Sequence, residues 1–96
     1  MIDSSRERGA FQRMVINAPV SLHQGAQHLT GICRDLSANG MGIFIETDQI
    51  NPDEPIRINL ATSSNLLPPF AAEARIIRIT DEEGGYRLAV EFLTVA

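Results

Sequence analysis

All eight basic side chains of the sequence are arginine, and Arg6, Arg8 and Arg13 fall within its first thirteen positions. Lysine would serve solubility equally well. A guanidinium differs from an ammonium in being a planar fork that pairs bidentately with anionic oxygens and stacks on flat rings. An arginine cluster on a polar, glycine-broken segment therefore points to recognition of something planar or anionic. A second group of chemistry-bearing residues, Asp35, Ser37 and Gly40, lies in the run RDLSANG. The carboxylate accepts hydrogen bonds, the hydroxyl donates or accepts, and the glycine lets backbone approach closely. By themselves such residues end a strand in an Asx or Ser turn. Set beside the arginines they make a recognition site. Arg34 alternates with Ile32 and Leu36, and Arg78 sits between Ile77 and Ile79; a partly buried stem that snorkels to solvent or pairs with a carboxylate accounts for Arg34, and Arg78 is a further candidate for lining the ligand surface.

Other reactive residues form no comparable constellation. His23, His28 and Cys33 recur every five residues, a spacing that fits no common zinc pattern and lacks a fourth ligand, so no metal site is predicted. A Cys-His nucleophile would need an orienting third group, and none is identifiable. The acids Asp81, Glu82 and Glu83 read as a solubilising turn. No enzyme is expected. With Cys33 as the sole cysteine no internal disulfide can form, which predicts a reducing, cytoplasmic location.

The elements that must position the site follow from hydrophobic period. Residues 1–12 carry no sustained period and are expected to form a flexible arginine-bearing arm, with residues 13–96 as one domain. Alternation every second residue then begins, with Met14, Ile16, Ala18, Val20 and Leu22 on one face. Pro19 cannot donate to a ladder and predicts an edge strand or one with a free side. A turn at 24–27 leads to a second strand in which Leu29, Gly31, Cys33 and Asp35 oppose Thr30, Ile32, Arg34 and Leu36. Further strands are expected at MGIFIET, IRINLAT, AEARIIRIT and YRLAVEFL, separated by SANG, NPDEP, SSNLLPPF and DEEGG. Six strands without a helical period predict an all-β fold, a six-stranded antiparallel barrel. A hairpin turning near residue 25 brings residue 13 opposite the middle to late thirties, so the arm should land beside Asp35 and Ser37.

Charge narrows the ligand. The net charge of −4 repels polyanions and argues against nucleic acid as the main partner. No apolar run approaches the roughly twenty residues that span a bilayer, and no secretory signal is expected. Through Arg13 there are three arginines against Asp3 and Glu7, whereas from Met14 onward five arginines face ten acids. A small anionic ligand held by the arm suits that asymmetry.

These residues resemble the PilZ domain family, small six-stranded β-barrels that bind the bacterial second messenger cyclic di-GMP. The family's Asp-x-Ser-x-x-Gly motif stands complete as Asp35-Leu36-Ser37-Ala38-Asn39-Gly40. Its arginine pair, separated by three residues, is altered: four positions before Arg13 stands Gly9, with Arg8 one place earlier. Either the arm is re-routed so that Arg8 serves, or the pair is broken. The resemblance implies a receptor or adaptor that binds cyclic di-GMP through Arg8, Arg13, Asp35, Ser37, Gly40 and Arg78, with arm ordering as the output. Guanine suits such a site, because a guanidinium fork meets O6 and N7 together while Asp35 accepts from N1 and N2. The alternative is a PilZ-like adaptor that works by protein contact alone. Both imply an unidentified protein partner in motility, pilus or exopolysaccharide machinery. The tail after the last strand leaves no room for the C-terminal helix that family members often add, which would open a surface to a homodimer.

Overall fold

Apolar side chains at every second position demand a covered face, and six strands supply it by closing on themselves. The computed structural model describes residues 14–60 and 70–95. It contains β1 (Met14–Gln24), β2 (Gln27–Leu36), β3 (Gly40–Ile45), β4 (Ile56–Leu60), β5 (Phe70–Glu82) and β6 (Gly85–Val95). They form a closed antiparallel barrel in the order β1-β2-β3-β6-β5-β4. Among the described residues there is no helix. Arg8, Arg13, the predicted arm and the loop at 63–69 lie outside the described residues.

The interior is aliphatic. Val20, Leu22, Met41, Ile43, Ile45, Ile56, Ile58, Leu60, Leu88 and Val90 are buried, together with Cys33, Ala72 and Ala74. Each large aliphatic side chain withdrawn from water contributes about 1.5–3 kcal/mol. Two tight hairpins set the register. β1 and β2 turn at Gly25 and Ala26, β5 and β6 at Glu83 and Gly84, and Gly25 and Gly84 supply φ values of 59° and 83° that other residues resist.

One end of the barrel is closed by the β3–β4 connection. Ile50 inserts into the core, and the buried Gln24 pins the turn behind it. Its Nε2 donates to the carbonyls of Asn51 (2.7 Å) and Glu54 (3.1 Å), while its Oε1 accepts from the Asn51 amide at 2.7 Å. β1 is not an edge strand: it pairs with β2, Pro19 lying opposite Ile32, and with β4 from Val20 to His23 among the described residues.

The predicted facing of β2 needs correction. Strict alternation set Asp35 with Cys33 and Leu36 with Arg34. An irregularity between Cys33 and Asp35 inserts one residue, so Cys33 pairs with Ile43 but Asp35 pairs with Gly42 and Leu36 with Met41. Leu36 therefore packs on the core. Asp35 turns to the outer wall.

Candidate functional site

The irregularity that turns Asp35 outward has a counterpart in β1, where the register shifts between Val15 and Ala18. Both flank Arg34. The result is a lateral row across five strands: Val15 pairs with Asp35, Asp35 with Gly42, Gly42 with Ala89, and Ala89 with Arg78. Gly42 lies between the buried Met41 and Ile43, so the row faces outward. Another shift, between Ile76 and Arg78 in β5, sets Arg78 in it. Thus Asp35 and Arg78, distant in sequence, stand on one wall.

Asp35 is only 7% exposed, an unusual state for a carboxylate, which must be compensated by hydrogen bonds or opposite charge. Arg87 of β6 compensates it, with Nη2 2.7 Å from Oδ2. The acid's side chain is 11% exposed and that of the arginine 45%. Gly42 makes the room. A Cβ there would lie 2.9 Å from Asp35 Oδ2 and 3.3 Å from Arg87 Nη2. The neighbouring row carries Ile32, Phe44, Arg87 and Thr80. Above it the Arg34 guanidinium sits 5.0 Å from the Phe44 ring centroid and 4.0 Å from Glu82 Oε1. The wall therefore presents Arg34, Arg78 and Arg87 around one buried acid and one aromatic ring.

Ser37 and Gly40 shape the turn beside this wall. The Ser37 amide donates to the Gly40 carbonyl at 2.9 Å, the Ser37 hydroxyl donates to the same oxygen at 3.3 Å, and the Asn39 amide donates to Ser37 Oγ at 3.4 Å. The Phe92 amide donates to the Asn39 carbonyl at 2.7 Å, tying the turn to β6. Gly40 is buried, and a Cβ there would overlap the Val90 carbonyl. The approach this glycine permits is to a neighbouring strand.

Inside the wall, Cys33 Sγ donates to the Asp35 carbonyl at 3.4 Å. Burial, and then the Asp35 charge, push its pKa up to about 11, against which the backbone hydrogen bond works. Such a thiol is a packing residue. His23 and His28 stack at 4.5 Å across the β1–β2 hairpin, away from Cys33, which is in the core. A groove of about 630 Å³ lies on the β1–β4–β5 wall beside His23, Glu54, Arg57 and Glu73, and its lining contains none of Asp35, Ser37, Gly40 and Arg78.

The sequence matches the PilZ domain family over residues 7–96. The chain belongs to the PilZ family. Two solved structures share its fold. The Bacillus subtilis inhibitor of motility MotI/DgrA is similar with a TM-score of 0.73 and 17% identity, over 90% of this chain and 43% of that one. The PilZ domain of Escherichia coli YcgR with c-di-GMP is similar with a TM-score of 0.69 and 20% identity, over 90% of this chain and 78% of that one. No curated protein matches. PilZ domains are receptor and adaptor domains, not catalysts. Asp35, Ser37 and Gly40 thus cluster where β2 passes into β3, and Arg78 shares the wall with Asp35. Arg87, which lies outside the run RDLSANG, is ion-paired with the acid.

Proposed function

We propose that this PilZ domain is a receptor for cyclic di-GMP, taking up the ligand between its N-terminal arginines and the wall around Asp35. The observation that carries the reading is the buried carboxylate of Asp35, held outward on the wall at the end of β2, within a domain matched to PilZ from residue 7. The YcgR PilZ domain, similar in fold, is a structure with c-di-GMP. Met14 pairs with Leu36, and Arg13 is the next residue in the chain, so one peptide link of about 3.8 Å separates it from that position. Arg13 and Arg8 then supply forks for guanine and phosphate, Asp35 accepts from the base, Ser37 and Gly40 hold the turn that frames it, and Arg78 closes the far side. Residues 1–12 act as the arm that orders on binding, the output a partner protein reads. No bond is made or broken. The similarity to an inhibitor of motility favours a partner in motility machinery and a cytoplasmic setting.

Isothermal titration with cyclic di-GMP tests this. Uptake with a dissociation constant of about 1 μM or tighter, lost in both Arg13→Ala and Asp35→Ala, supports the receptor. Absence of heat supports the second reading, a PilZ adaptor working by protein contact alone, which the glycine at position 9 favours. Gly9→Arg separates the cases within the first reading: affinity rises if Arg8 substitutes poorly and holds steady if Arg8 already fills the place.

A further inference from the structure

Arg87 is bound to Asp35 yet keeps nearly half of its side chain in contact with solvent. A guanidinium carries five N–H donors, and a single contact at 2.7 Å does not exhaust them. The pair thus sets an acceptor beside a donor on one wall. Guanine presents the complementary row along its Watson–Crick edge: N2–H and N1–H as donors, then O6 as an acceptor. A carboxylate that takes the two donors leaves O6 pointing at a group beside it, and the Arg87 guanidinium stands against Asp35 Oδ2. We propose that Arg87 is a specificity-determining residue of the ligand site, donating to guanine O6 while Asp35 accepts from N1 and N2.

The wall has the shape for it. Gly42 and Ala89 occupy the row between Asp35 and Arg78, so the floor beside the pair is built from the smallest side chains. Adenine fits the array badly. Its amino group would face the guanidinium donors and its N1 lone pair the carboxylate, leaving polar groups unpaired, which is the costly form of mismatch. The pair therefore selects the base as well as holding it.

This inference rests on the cyclic di-GMP reading, and titration of the full chain keeps the two separable. Arg87→Met retains the stem without donors, and Arg87→Lys restores a donor. Arg87→Met is expected to weaken cyclic di-GMP about 10- to 100-fold, to cut the preference over cyclic di-AMP by a similar factor, and to be partly rescued by Arg87→Lys. Cyclic di-IMP, which keeps O6 and lacks the 2-amino group, separates contact from support. A direct donor to O6 gives equal loss on cyclic di-IMP and cyclic di-GMP, whereas a smaller loss on cyclic di-IMP means that Arg87 acts only by holding Asp35 and overturns the proposal. A lowered melting temperature with affinity and preference unchanged overturns it too, and leaves the receptor standing. If the unmodified chain takes up no cyclic dinucleotide, both readings fall.

Discussion

Cys33 links the core to the site at the level of single residues. Raising a thiol pKa from 9.0 to about 11 cuts the thiolate near neutral pH about 100-fold. A thiol reagent at pH 8 should therefore modify folded protein at least about 100-fold more slowly than protein in urea. The unfolded chain loses this proton first as pH rises, so the contribution of Cys33 to stability is intact below about 9.0 and is lost as pH climbs through about 11. Denaturation midpoints across that window should fall less in Cys33→Ala than in the parent chain. Gly42→Ala tests the cradle. The three heavy atoms nearest the added methyl are the two Asp35 carboxylate oxygens and Arg87 Nη2, so thermal stability should fall as that buried pair is pushed apart, and cyclic di-GMP affinity should drop about tenfold or more, as expected when a positioned carboxylate is displaced. Residue types and spacing were enough to single out Asp35, Ser37 and Gly40 as candidates, because they lie within one short run, and the fold does bring them to one end of β2. Arg87 was not legible. It lies 52 positions from Asp35, and only the strand order that sets β6 beside β3 brings them together.

Elements were legible where the period-two pattern is unbroken and misleading where one residue is inserted. In β6 the alternation of Tyr86, Leu88, Val90 and Phe92 runs as predicted, each buried or packed on the core. In β2 the insertion at Arg34 reversed the facing of Asp35 and Leu36, and in β5 a similar one leaves Ile77 57% exposed. A composition-based pattern contains no marker for such a slip, since an extra residue looks the same as the next one in the strand. The link between elements that sequence reasoning passed over is Gln24. Its three hydrogen bonds satisfy backbone groups of the 51–54 turn that no strand serves. Gln24→Ala should lower unfolding free energy by about 1–3 kcal/mol, measured by urea titration, because it leaves partly buried polar groups without partners.

For the whole molecule, closure was predictable because six strands with one apolar face have few ways to hide it. Among the described residues β4 meets β1 from Val20 to His23 and β5 from Phe70 to Ala74, and its Ile58 is fully buried. Truncating its central side chain, Ile58→Ala, should cost about 2–5 kcal/mol, read from denaturant midpoints. Saturating cyclic di-GMP at about 100 times its dissociation constant should add about 2.7 kcal/mol to the parent chain. β6 carries Arg87 on a hairpin that pairs from Ala72 with Val95 to Glu82 with Gly85, so the amides of that ladder should be among the last to exchange for deuterium, and the wall bearing Asp35 and Arg87 is anchored on it through β3.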